Sequence, residues 1–218
     1  MDFSWTTIVI VILLIVIVYF VYTMLTSSSS TTSTGGSNAQ TATPLPVTSS
    51  NSFTFSTWLA INDWTKSKSG TIITNSSTFS LTLGSNSNDL VLTIATSPTT
   101  TPTITLSNIV PLQTWASIIV SVNNGNSVDI YINGKLVRTT PLTIPYTLSA
   151  GSVNVGGGIT GYISTTFNPT STGPQDAWNT YSSGFGSGSG SSVSDFFNKY
   201  KVRFAFVKDN VELSRLDI

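Results

Sequence analysis

An Asn-Gly pair set between two alternating runs, in SVDIYINGKLVRTT (residues 127–140), constrains the fold more tightly than any other stretch. A two-residue Asn-Gly connection favours a type I′ turn, because both central residues need positive φ, and it fixes the register of the flanking strands. That register pairs Ile132 with Lys135, Tyr131 with Leu136, Ile130 with Val137 and Asp129 with Arg138. Side chains alternate across a strand, so Val128, Ile130, Ile132 and Val137 are expected on a buried face, with Tyr131, Leu136, Asp129 and Arg138 on the other. Asp129 and Arg138 are expected as a cross-strand ion pair, which contributes ~0–1 kcal/mol where exposed. The hairpin is therefore scaffold, with Lys135 and the Asn133-Gly134 tip as the pieces left to touch a partner.

Similar short runs recur at about ten-residue spacing from Phe53 onward, divided by Asn, Gly, Ser and Pro. Strands are predicted at 53–61, 71–74, 79–84, 90–96, 103–108, 115–123, 127–133, 135–140, 152–157 and 161–167. No helical periodicity interrupts them. This pattern predicts an all-β, two-sheet antiparallel sandwich, and the length suffices for one well-buried domain with appendages.

The chain before that domain reads differently. WTTIVIVILLIVIVYFVYTML, residues 5–25, is an uncharged run of about twenty residues, long enough as a helix for a hydrocarbon core of ~30 Å. Trp5, Tyr19 and Tyr22 lie toward its ends, where amphipathic rings prefer the membrane interface. With Asp2 ahead of it and no Lys or Arg before Lys66, it lacks a signal peptide's flanks and is assigned as a single-pass anchor spanning residues 1–25. Without flanking basic residues its orientation stays open. Residues 26–52 are mostly Ser, Thr, Gly and Asn around a short PLP, and are predicted to be a disordered tether.

Composition closes several routes to function. The chain has no Cys and no His, which removes thiolate nucleophiles, the usual zinc ligand sets and histidine acid–base chemistry. Charged residues make up only 8%, nine basic against nine acidic, so no basic surface exists to grip nucleic acid. No catalytic residue, metal or cofactor is predicted, and the chain is read as a non-enzyme.

PLQTWASIIVSVNNGNSVDIYINGKLV, followed by LSAGSVNVGGGITGYISTTF, resembles the laminin-G-like, concanavalin A-like jelly roll. The resemblance covers residues 53–168, with FTFSTWLAIND as the first core strand. It implies the fold, and it offers two chemistries that can be tested residue by residue. The family's glucanases place acidic residues close together on one strand, as paired-carboxylate hydrolysis requires. Here Glu212 is the only Glu, and Asp63, Asp89, Asp129 and Asp176 are isolated. Its calcium-dependent lectins cluster oxygen ligands in loops. Asn62-Asp63 and Asn86-Ser87-Asn88-Asp89 come nearest, and both are read as turn formers. Trp58 and Trp115 hold strand positions that match the family's core tryptophans and are assigned to buried packing. Trp64 and Trp178 stand beside loop signals and are the candidate contact surface.

Residues 169–218 begin with a Gly/Ser loop and end in VSDFFNKYKVRFAFVKDNVELSRLDI, which holds half of the charged residues. KVRFAFV is predicted to be a last strand that completes the sandwich or an arm that pairs with a neighbouring protein, with Lys199, Lys201 and Arg203 as candidate contacts. The whole order of anchor, tether, jelly roll and basic-aromatic tail more loosely resembles membrane-linked minor capsid proteins of large DNA viruses of algae and protists. That resemblance implies a structural protein of the virion's internal membrane, with the bilayer and shell proteins as partners. The alternative is a membrane-tethered, lectin-like adhesion module at a cell surface, with glycans as partners.

Overall fold

The computed structural model describes residues 37–75 and 78–185, and the backbone of 32–33, 203–208 and 211–217. The strands are β1 (Thr32–Ser33), β2 (Ser37–Asn38), β3 (Thr43–Val47), β4 (Phe53–Asp63), β5 (Thr71–Asn75), β6 (Phe79–Leu83), β7 (Leu90–Ile94), β8 (Thr103–Leu106), β9 (Trp115–Asn123), β10 (Ser127–Ile132), β11 (Lys135–Pro141), β12 (Gly151–Val155), β13 (Thr160–Asn168), β14 (Arg203–Lys208) and β15 (Val211–Asp217). One sheet has the order β1-β13-β4-β9-β10-β11, with β2 also on β13, and the other runs β3-β12-β5-β6-β7-β8. The predicted all-β sandwich is thus observed, and every predicted strand between Phe53 and Phe167 has a counterpart.

Period-two alternation builds the core. In β6 and β7 the odd residues Phe79, Leu81 and Leu83 and the even residues Leu90, Leu92 and Ile94 are buried, while Ser80, Thr82, Val91 and Thr93 face outward. From the opposite sheet, Phe53, Phe55, Leu59 and Ile61 of β4 and Ile118, Val120 and Val122 of β9 enter the same cluster. Rings bridge the layers, with Phe55 and Phe79 5.4 Å apart and Phe53 and Phe79 6.1 Å apart.

The domain starts earlier than the sequence reading placed it. Residues 37–47, expected within the tether, supply β2 and β3, and Ala39, Leu45 and Val47 join the core. Pro44 and Pro46 disguise β3 as linker, yet an edge strand tolerates residues that have no N–H to donate. Their exposed rings alternate with the buried Leu45 and Val47, as pairing with β12 requires. The anchor, with Trp5, Tyr19 and Tyr22, and residues 26–31 and 34–36 lie outside the described residues. Among the described residues no helix is long and apolar enough to cross a membrane.

The opening hairpin also departs from its expected register. Asn133 and Gly134 have φ of 50° and 74°, as a type I′ turn demands, and the first two pairs are as predicted. A bulge then sets Ile130 opposite Arg138 and Asp129 opposite Thr139. Val137, expected in the core, is 40% exposed, and the predicted Asp129–Arg138 ion pair is replaced by a hydrogen bond from Thr139 Oγ1 to Asp129 Oδ1 at 2.6 Å. β11 is an edge strand, and a bulge is one way in which an edge is kept from recruiting another chain.

At the C-terminus the expected single last strand is two. β14 and β15 pair antiparallel with each other as a separate two-stranded sheet, and among the described residues neither pairs with a strand of the sandwich.

Gly161 tests how closely β13 approaches β4. A Cβ there would sit 1.9 Å from the Ala60 carbonyl oxygen, which belongs to backbone and has nowhere to yield. Gly161→Ala is expected to lower stability by more than about 2 kcal/mol, read as a shift of the denaturant midpoint with unchanged slope.

Candidate functional site

The outer face of the seven-stranded sheet follows from the same alternation. With Phe53, Phe55, Leu59 and Ile61 turned inward, Thr54, Ser56, Trp58 and Ala60 point outward. Register sets Trp58 between Ser164 of β13 and Ser117 of β9, and Ala60 between Tyr162 and Trp115. Tyr162 and Trp115 therefore rise on either side of a methyl floor, two strand spacings or ~9–10 Å apart at their roots. The next row along reads Thr166, Ser56, Ile119, Tyr131.

Part of this face is covered. A helix, α1 (Pro174–Ser182), lies in the segment expected to be loop. Gly173 at the N-cap, Pro174 in the first turn and Asp176 near the positive end of the dipole are ordinary helix-start signals. Nine residues make a marginal helix in isolation, so docking must stabilise it. Ala177 is fully buried against Ile119 and Tyr131. The segment leading into α1 is fastened to outward hydroxyls: Thr54 Oγ1 donates to the Thr170 carbonyl at 2.9 Å, and the Thr172 N–H donates to Ser121 Oγ at 2.8 Å.

Rings cluster where α1 meets the sheet. Tyr181 stacks on Trp58 with centroids 6.0 Å apart and planes 18° from parallel. Beyond the helix, Phe185 stacks on Trp115 at 4.2 Å and 23°, and it meets Trp58 edge-on at 6.3 Å. Trp178 lies against Tyr181 at 5.7 Å. Solvent reaches much of the assembly: Tyr162 is 52% exposed, Trp178 46%, Phe185 45% and Trp115 36%. The side chains of its cross-strand neighbours Ser117, Ser164 and Ala60 are small and neutral. The result is an open shelf of aromatic faces with hydroxyls between them, suited to stacking a flat, uncharged, hydroxyl-rich ring.

This arrangement redistributes the predicted tryptophans. Trp178 is on the surface, as expected. Trp64, predicted to be an open contact, packs against the core instead. Trp58 and Trp115, assigned to buried packing, stand on the outer face, because their inward neighbours fix them there. The Asn133-Gly134 tip, expected to be free, lies under α1, where a Cβ on Gly134 would come within 3.0 Å of Trp178 and Tyr181. Lys199 and Lys201 lie outside the described residues, and Arg203 opens β14.

The two loops considered for calcium use their side chains locally. A hydrogen bond from Ser87 and the Asn108 N–H, 2.8 Å away, hold the Asp89 carboxyl below its ordinary pKa, and Asn88 Nδ2 donates to the Val110 carbonyl at 2.9 Å. Asp63 Oδ1 accepts from the Lys66 N–H at 3.3 Å, and Asp63 meets the Lys66 ammonium at 3.6 Å. Among the described residues no group of three or more His, Cys, Asp or Glu is placed to hold a metal.

Comparison with known proteins agrees with this architecture. A family model described as the concanavalin A-like lectin/glucanases superfamily, of laminin-G type, matches residues 33–170. No curated protein matches the chain. Among solved structures, the binding domain of botulinum neurotoxin serotype G superposes with a TM-score of 0.54 at 14% identity, covering 72% of this chain and 47% of that one. The binding domain of botulinum neurotoxin DC in complex with rat synaptotagmin II gives 0.46 at 25% identity, covering 61% and 35%. The same toxin's domain in complex with SialylT gives 0.48 at 19%, covering 68% and 46%. The chain thus spans between about a third and a half of the length of these structures.

Two outcomes test the docking of α1. Gly134→Ala is expected to cost about 1–2 kcal/mol, through strain at positive φ and contact with the helix rings, and to speed amide exchange in 174–182 more than in β9. Burial, and secondarily the Asp129 charge, hold the Tyr131 phenol above its ordinary 10.0, so the fold favours the neutral form. That contribution is complete below the unfolded pKa and is lost as the pH rises through the folded one. Denaturation midpoints are therefore expected to fall above the ordinary phenol range, and to fall less in Tyr131→Phe.

Proposed function

The chain belongs to the concanavalin A-like lectin/glucanases superfamily, and we propose that it is a non-catalytic module that holds a carbohydrate on the aromatic shelf of the seven-stranded sheet. The observation that carries this reading is the set of exposed rings, Tyr162, Trp115 and Trp178, spread around Trp58 with Ala60, Ser164 and Ser117 between them. A pyranose has apolar C–H faces that rest on aromatic rings and a rim of hydroxyls that pair with neutral side chains. Hydrolysis would need two carboxylates flanking the bound sugar, and the shelf residues and their cross-strand neighbours supply none. In this reading Trp5–Leu25 fixes the module to a bilayer and presents it to glycans at that surface.

A second reading, a scaffold that joins the bilayer to a protein shell as a minor capsid component, is favoured by the other sheet. β3, β5, β6, β7, β8 and β12 contain no charged residue. Their outer face carries an unbroken neutral row, Pro44, Asn154, Thr74, Ser80, Thr93 and Thr103. An uncharged face of this kind fits coverage by a neighbouring protein.

Glycan-array binding by the full chain in detergent separates the two. Under the first reading neutral glycans are retained, and Tyr162→Ala weakens binding by roughly 2–10-fold, the value of one ring stack. Absence of any glycan binding, together with lysine crosslinks from the chain to a shell protein in native particles, would replace it with the second.

A further inference from the structure

The family match ends at residue 170, and the segment Ser171–Phe185 that follows is laid back over the sheet the match has just completed. Its root and its end are held differently. At the root, Thr172 is fastened from both sides of its peptide unit, its N–H on Ser121 Oγ and its carbonyl taking a long hydrogen bond from the Tyr131 hydroxyl at 3.4 Å, and Ala177 is fully buried. At the end, beyond Gly184 with φ of 84°, the Phe185 ring lies against Trp115 and Trp58, and its side chain remains 45% exposed. Trp178 and Tyr181 are spaced i and i+3 on α1, and Phe185, past the helix end, reaches the same ring cluster.

We propose that Ser171–Phe185 is a built-in cover whose Phe185 ring occupies the stacking position over Trp115 that a ligand ring would take. This rests on the carbohydrate reading of the shelf. The near-parallel planes of Phe185 and Trp115 at 4.2 Å are the geometry of an occupied stacking site, and a ring held there has to leave before a sugar can lie on the Trp115 face. The root stays docked while the end exchanges, because the hydrogen bonds and Ala177 hold the root independently of Phe185. The cover therefore sets a threshold: weak or monovalent sugars fail to displace Phe185, and ligands that also engage Tyr162 across Ala60 succeed.

The test uses the full chain in detergent, with Phe185→Ala and Phe185→Leu compared by thermal melting to show that the fold is kept. Cello-, chito- and laminari-hexasaccharides serve as probes in calorimetry. Phe185→Ala is expected to bind the oligosaccharide retained by the wild type roughly 2–10-fold more tightly, the equivalent of one ring stack, with Phe185→Leu between the two. Acrylamide quenching gives a readout free of ligand: Phe185→Ala is expected to quench more strongly than wild type, and most of the increment should be lost in a Trp115→Phe background, the remainder coming from Trp58. Weaker or unchanged binding by Phe185→Ala overturns the proposal, since Phe185 would then belong to the site or be irrelevant to it. If neither chain binds any oligosaccharide, the carbohydrate reading fails, and the cover is judged on quenching alone: the Trp115-dependent increment keeps it and its absence overturns it.

Discussion

Phe53 and Phe55 from the seven-stranded sheet meet Phe79 from the six-stranded sheet, with Phe167 against Phe55 and Tyr146, from the connection after β11, against Phe53 and Phe79, ring centroids 5.4 to 6.5 Å apart. With no cysteine to form a disulfide and no buried ion pair among the described residues, this interlayer packing and the aliphatic rows beside it set the separation and alignment of the two sheets. Everything outward of the core depends on it. Once Phe53 and Phe55 point inward, β4 has no freedom left, and Trp58 is committed to the opposite face. The shelf is thus a geometric by-product of the core's alternation, shared through the ladder with β9 and β13.

The same dependence explains what could be read from the sequence and what could not. Strand positions were legible because alternation and turn residues are local. The outward direction of Trp58 and Trp115 was equally available: FTFSTWLAI places Trp58 out of phase with Phe53 and Phe55, and Trp115 is out of phase with Ile118 and Val120. A resemblance to core tryptophans pointed the other way, and parity in the strand was the sounder guide. α1 was obscured by its setting, since Gly173, Pro174 and Asp176 form a start signal within a stretch dominated by Ser, Thr and Gly. β3 was obscured similarly by Pro44 and Pro46. The bulge at Val137 was not legible, because it depends on β11 lying at an edge, which only the assembled sheet determines.

Gly134 connects these scales. The turn chemistry that made the hairpin recognisable calls for glycine because of φ, while the packing of α1 calls for glycine because a side chain would collide with Trp178 and Tyr181. One residue therefore serves the hairpin and the helix that covers it. This couples the scaffold to the shelf more directly than sequence separation suggests.

Between residues 37 and 185 the charges are Asp63, Asp89, Asp129 and Asp176 against Lys66, Lys68, Lys135 and Arg138, four of each sign, and none lies in the six-stranded sheet. Such a body projects almost no long-range field, so a charged or polar partner is not drawn to it across solution. Encounters proceed at the unsteered diffusional rate, nearly indifferent to ionic strength. For a sugar held on the shelf as proposed, selectivity would then reside in how long it stays, through short-range ring and hydroxyl contacts. For a domain of this kind, crowding many copies on one surface raises the chance of recapture and lengthens attachment more effectively than any change in the speed of arrival.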